Sequence, residues 1–262
     1  MNIKIAIANQ KGGVGKTDLA VNLSSYLANF GKRVLLIDMD PQANTTDYVG
    51  KFNPKLTTYD LLMDKNISVK DVAIKTQVDN LDLIPSSRSL AKAEVQLINE
   101  VGMQFRLKRK LNCPLDYDFV FMDTPPSLGL LTINALTAAD EVIIPIEVHY
   151  FPLEGVSKLC NTIDAIKEEI NPKLNINGFI LTMFDRRNNL SFEVEKIVRS
   201  TFKEKVYKVF IPINVRLAEA PSHHKPIMLY DKKSTGAQAY YALAEEFLKR
   251  RGKLYYLSQF LH

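Results

Sequence analysis

Two lysines frame a glycine-rich run in "ANQKGGVGKTD", residues 8–18, with Lys11 ahead of Gly12 and Gly13 and Lys16 after Gly15. A phosphate-binding loop of spacing G-x-x-x-x-G-K-[ST] has a glycine five positions before Gly15, where this chain has Gln10. The remaining glycines still let backbone N–H groups close around phosphate oxygens. A helix starting near Gly15 adds the positive end of its dipole. The stretch Gly12, Gly13, Val14, Gly15, Lys16, Thr17 and Asp18 therefore reads as a nucleotide cradle. In it Lys16 meets the β- and γ-phosphates, and the Thr17 hydroxyl ligates Mg²⁺. A dinucleotide fingerprint, G-x-G-x-x-G from Gly13, fails because its third glycine falls on Asp18.

Carboxylates complete the chemistry. "VLLIDMDPQANTT" places Asp38 and Asp40 at the end of an apolar run, and "YDFVFMDTPPS" does the same for Asp123. A carboxylate just past a buried strand is where nucleotide hydrolases hold the Mg²⁺ shell. Asp40 and Asp123 each precede a proline-fixed turn and read as functional. Asp38 reads equally well as a cap on its strand.

Such groups converge only if strands end together. Short β-rich runs are expected at Lys4–Asn9, Arg33–Asp38, Leu81–Pro85, Phe119–Asp123, Glu141–Glu147, Ile176–Phe184 and Val206–Ile211. Helical patterns fall near 16–30, 89–110, 128–138, 154–170, 190–203 and 237–251. The last carries Tyr240, Leu243, Ala244, Phe247 and Leu248 as one apolar stripe, with Gly252 as its stop. The alternation predicts an α/β fold, a mostly parallel twisted sheet with helices on both faces. No repeat or Gly/Ser/Pro-rich linker divides the 262 residues, so a single domain over 1–262 is expected.

Composition bounds the rest. Cys113 and Cys160 form no C-x-x-C pair, as befits a reducing compartment. No apolar run approaches the roughly 18 residues of a membrane span, and "IKIAIAN" is too short for a signal peptide, so a cytoplasmic protein is expected. The net charge is +5, with basic residues in excess from Arg186 to Lys253, a face suited to a polyanion.

"KGGVGKT", "DMDPQANTT" and "DTPPS" together resemble the ParA/MinD family of ATPases with a deviant Walker A loop, and "IPINVRLAEAPSHHKPIMLYDKKSTGAQAY" is similar to Soj-like partition proteins. The resemblance spans nearly the whole chain. It implies a P-loop NTPase using ATP and Mg²⁺, with Lys11 reaching across a homodimer to the partner's ATP. It further implies Asp40 positioning the attacking water, Asp123 in the outer Mg²⁺ shell, and Pro212 near adenine. Arg187 and Arg216 match positions that bind DNA in Soj-like relatives, through phosphates and without regard to base sequence. The implied cycle is an ATP-bound sandwich dimer on nucleoid DNA, released when a ParB-type centromere-binding protein stimulates hydrolysis. Asp18 departs from the family, which usually has a second threonine there. Near the α-phosphate it repels, unless the carboxylate turns away.

Three further readings stand beside this one. Because the sequence begins on its first strand, no N-terminal helix-turn-helix, and so no operator-specific repression, is expected. Leu254, Leu257 and Leu261 beside a basic cluster suit either a membrane-surface helix, as in MinD-like cycling, or a short packed tail. A metabolic ligase on the same scaffold is the other rival. Cys113 and Cys160 do not match the cluster ligands of an iron protein.

Overall fold

The computed structural model describes residues 2–148 and 153–252. Seven strands form one sheet: β1 (Ile3–Ile7), β2 (Val34–Asp38), β3 (Ile74–Lys75), β4 (Leu81–Ile84), β5 (Phe119–Asp123), β6 (Glu141–Glu147) and β7 (Asn175–Thr182). Their order is β3-β4-β2-β5-β1-β6-β7. All pairings are parallel except β3 with β4. The register brings Ile7 and Asp38 level with Asp123, so the loops after β1, β2 and β5 leave the same edge. In open α/β sheets the crevice beyond the strands' carboxyl ends is where ligands bind.

Helices cover both faces, as the alternation predicts. In chain order they are α1 (Lys16–Asn29), α2 (Asn44–Val49), α3 (Thr58–Met63), α4 (Val69–Val72), α5 (Leu90–Leu97) and α6 (Arg106–Leu111). Then follow α7 (Leu130–Ala138), α8 (Leu153–Glu169), α9 (Asn189–Phe202), α10 (Val215–Glu219), α11 (Ile227–Tyr230) and α12 (Thr235–Lys249). Side chains alternate across each strand, so Ile5, Ile7, Leu36, Phe119 and Phe121 enter one core with α1 and α12. Ala6, Ile37, Val120 and Met122 enter the other, with α5 to α9. The stripe on α12 buries as expected, and Phe247 packs edge-on against Phe119 at 5.4 Å. Ser234 caps that helix, its side chain accepting from the Ala237 N–H.

Three expectations are corrected. The helix over 89–110 divides into α5 and α6, because Gly102 turns left-handed (φ 71°) and Glu100 pairs back with Arg106. The strand over Val206–Ile211 does not form. That segment touches the β7 edge at two isolated bridges, Phe179 with Val206 and Phe184 with Pro212. Between them the N–H groups of Lys208 and Val209 donate to the Glu246 carboxylate of α12 (2.9 Å each), leaving the ladder. Finally, β3, α2, α3, α4, α10 and α11 were not foreseen. Those helices run four to six residues, too short for periodicity to show. Lys253, Leu254, Leu257 and Leu261 lie outside the described residues. Among those described, no helix is long and apolar enough to cross a membrane.

Candidate nucleotide site

The loop between β1 and α1 is built for close approach. Gly13 (φ 74°) and Gly15 (φ 83°) adopt the left-handed conformation that side chains disfavour. Asn9 anchors the loop's start, donating to the Pro145 carbonyl (2.7 Å) and accepting from the Lys11 N–H (3.0 Å). Val14 is buried, and its carbonyl accepts from the Thr182 hydroxyl (2.9 Å), so it anchors the other side. Gly12, Gly13, Gly15, Lys16, Thr17, Asp18, Asp40, Asn44 and Pro126 line a cavity of about 200 Å³. Lys16 is 7% exposed and donates to the Lys11 carbonyl (3.0 Å), closing the loop upon itself. Burial pulls its pKa down, partly offset by Asp123 and Asp40.

Below the loop the Asp123 Oδ2 accepts from the hydroxyls of Thr17 (2.8 Å) and Thr45 (2.7 Å). Its Oδ1 is buried without a hydrogen-bond partner. Burial raises its pKa to about 6, the Thr45 and Thr17 hydroxyls and Lys16 oppose the rise, and the Asp40 charge adds to it. An orphaned carboxylate oxygen beside a threonine hydroxyl fits a hydrated Mg²⁺ held by few protein groups. Among the described residues no three His, Cys, Asp or Glu side chains gather into a metal cluster. Asp40 lines the cavity wall, its Oδ1 accepting from the Gln42 N–H (2.9 Å). Asp38 lies deeper, fully buried, and burial with the Asp123 charge pushes its pKa to about 8. It binds Thr46 and the Asp40 backbone, so of its two readings the capping one describes its contacts.

A second cavity of about 280 Å³ adjoins the first, sharing Gly15 and Asp18, and is otherwise lined mostly by apolar groups including Met183, Pro212, Ile213, Leu217 and Tyr240, with Thr182 and Asn214 among them. A polar cradle beside a mostly apolar slot has the shape and chemistry to take a triphosphate in one and a base in the other. The 208–213 segment that fails to join the sheet brings Pro212 here. The Asp18 carboxylate turns inward towards the buried Tyr48 and Tyr240. Its Oδ1 has no partner, and burial raises its pKa to about 6 against the opposing Tyr48 hydroxyl.

Comparison with known proteins agrees with this geometry. A family profile described as an AAA domain matches residues 2–176. The sporulation initiation inhibitor protein Soj of Bacillus subtilis (strain 168) is 51% identical over 245 residues, 92% of this chain and 96% of that one. The chain belongs to the Soj/ParA family. A second relative, the chromosome-partitioning ATPase Soj of Treponema pallidum (strain Nichols), is 45% identical over 97% of this chain and 100% of its own. Among solved structures, cobyrinic acid a,c-diamide synthase from Mycobacterium smegmatis with bound ADP and magnesium superposes with a TM-score of 0.84. It is 32% identical, with 96% of each chain covered.

Lys11 points away from its own cradle. Its ammonium pairs with Glu147 at the end of β6 (2.6 Å), and the side chain is 48% exposed. Arg187, on the loop after β7, and Arg216, on α10, are surface groups. Each is held by local acids: Arg187 by Asp185 (2.9 Å), and Arg216 by Glu219 (2.8 Å) and Asp231 (3.5 Å). Arg187 and Val215, the neighbour of Arg216, line one open concavity of about 870 Å³. Exposed ion pairs contribute only about 0–1 kcal/mol, so either arginine can exchange its partner for a phosphate. Sequence reasoning missed Thr45, Pro126, Thr182, Tyr240 and Glu147. Thr45, Pro126 and Tyr240 lay within quoted motifs without being read as site residues, whereas Thr182 and Glu147 come from other elements and carry no local signal.

Proposed function

We propose that the protein is a DNA-partition ATPase that closes on ATP into a homodimer and binds double-stranded DNA without base preference. A ParB-type centromere-binding protein would speed hydrolysis and release it. The relatives' names support partition. The observation that carries the dimer is the division of labour between two lysines: Lys16 fills the cradle while Lys11 faces outward, half-exposed.

In this reading Lys16 leaves the Lys11 carbonyl for the β- and γ-phosphates, and the loop N–H groups hold the same oxygens. Thr17, with Asp123 behind it, would hold Mg²⁺, which supplies neutralising charge to the phosphates. Asp40, on the cavity wall, orients the attacking water and accepts its proton. Lys11 leaves Glu147 and enters the partner's site, so stabilisation of the transition-state charge arrives only with the second subunit. Hydrolysis becomes a timer on the dimer.

Sizing chromatography with and without DNA, in ATP, ADP or no nucleotide, tests this. The wild-type protein is expected to dimerise and shift DNA in ATP alone, whereas Lys11→Ala binds ATP yet stays monomeric. A normal ATP-dependent dimer of Lys11→Ala overturns the trans role. A wild-type chain that stays monomeric in ATP overturns the partition cycle and favours a small-molecule ligase.

A further inference from the structure

The loop carrying Asp40 is tied into a closed ring of buried hydrogen bonds, none of which touches the phosphate cradle. Asp38 Oδ1 accepts from the Asp40 N–H (3.1 Å). Asp38 Oδ2 accepts from both the N–H (2.8 Å) and the hydroxyl (2.7 Å) of Thr46. The Thr46 hydroxyl oxygen accepts from the Ser86 N–H (2.8 Å), and the Ser86 hydroxyl donates to the Asp40 carbonyl (2.7 Å). Asp40 is therefore gripped at both ends of its backbone, by Asp38 on its own strand and by Ser86 from the loop after β4. Ser86 is 3% exposed and does not line the cavity.

We propose that Ser86 is a positioning residue that sets the direction of the Asp40 carboxylate. This rests on the reading that Asp40 orients the attacking water. A side chain leaves its Cα in a direction set by the two flanking peptide planes, so a fixed N–H and a fixed carbonyl fix where the carboxylate points. Ser86 supplies the tie that crosses from one strand's loop to the next. Without it the Asp40 carbonyl keeps the Ala43 N–H (2.9 Å), a bond within the same turn that does not tie the turn to the sheet. A water-positioning carboxylate misplaced by about 1 Å forfeits much of its effect, on the order of 100-fold. Ground-state binding of the nucleotide, made by the loop N–H groups and Lys16, is untouched.

The experiment compares Ser86→Ala, Ser86→Thr and Asp40→Ala with wild type by three measurements. These are amide hydrogen exchange over 40–46 without nucleotide, equilibrium ATP affinity, and single-turnover hydrolysis. In Ser86→Ala the amides of Gln42 and Ala43 should exchange about fivefold to tenfold faster, the effect of one lost hydrogen bond. ATP affinity should stay within about threefold, and hydrolysis should fall about tenfold or more. Ser86→Thr, which keeps the hydroxyl, should recover both exchange and rate. Unchanged exchange over 40–46 in Ser86→Ala overturns the proposal, as does a parallel loss of affinity and rate. If Asp40→Ala is inactive while Ser86→Ala hydrolyses normally, the positioning role falls. If Asp40→Ala itself hydrolyses at the wild-type rate, it is the reading of Asp40 that falls.

Discussion

A carboxylate at position 18, where the family usually has threonine, lies in the first turn of α1, which suits the helix dipole, but burial opposes its charge. The structure accommodates it by turning it inward among buried tyrosines, and Oδ1 is left unpaired. Its pKa of about 6 lies above the ordinary 3.8. Between those values the folded state holds a proton that the unfolded chain releases. Stability from this group is thus present below pH 4 and declines as pH rises through about 6. Asp18→Asn keeps the shape and removes the charge. Melting of the nucleotide-free variant should match wild type near pH 4 and exceed it by a few degrees at pH 8, a gain of about 1–3 kcal/mol. Equal melting at pH 8 would mean that the carboxylate is solvated after all. At this scale the chain was readable: the loop, Asp40 and Asp123 stand where their spacing placed them. The direction of Asp18 was not, since side chains from α2 and α12 decide it.

Among the elements, β7 and the segment after α9 show why a strand-like pattern can fail to make a strand. Asn177 is an extra residue in β7, bulged between the Val142–Ile176 and Ile143–Gly178 pairs, and it accepts from the Tyr207 hydroxyl (2.6 Å). Gly178 lets the crossing segment lie flat on the strand. An added Cβ would stand 2.6 Å from the Lys205 carbonyl oxygen and 2.7 Å from the Tyr207 ring. Since backbone cannot swing aside as a flexible side chain does, Gly178→Ala should destabilise by about 1–3 kcal/mol. By denaturant titration its midpoint should fall with an unchanged slope; an unchanged midpoint would show that the segment yields freely. The same segment carries Pro212 to the second cavity, so if that cavity takes the base, ATP affinity should weaken as well. The β-rich apolar run over 206–211 announced an extended segment. That Glu246 of α12 captures two of its N–H groups was invisible in the pattern.

For the molecule as a whole, the candidate nucleotide site lies along one sheet edge, and the concavity that Arg186, Arg187 and Lys208 help to line lies beside α10. In the proposed cycle, joining two such surfaces on one rigid dimer would raise the effective concentration of the second contact, so that DNA binding would follow ATP-driven pairing. Arg216→Glu is expected to dimerise with ATP as the wild type does and to lose DNA binding at moderate salt. Raising salt should weaken the wild-type complex in the same direction, because phosphate contacts release counterions. Retained DNA binding in the Arg216→Glu dimer would place the DNA face elsewhere.

The amino-acid order by itself determined the sheet class, the phosphate loop and the carboxylates at the strand ends. Those depend on local periodicity and on backbone geometry that only glycine adopts freely, both of which act over a few neighbouring residues. Tertiary structure alone decided which residues meet across the edge. Thr45 reaches Asp123, Thr182 braces Val14, Ser86 holds Asp40 and Glu147 holds Lys11, contacts that span 78, 168, 46 and 136 residues. Such pairings follow from strand order and helix docking. The free energy that selects them is spread over the two cores, not written into any short stretch.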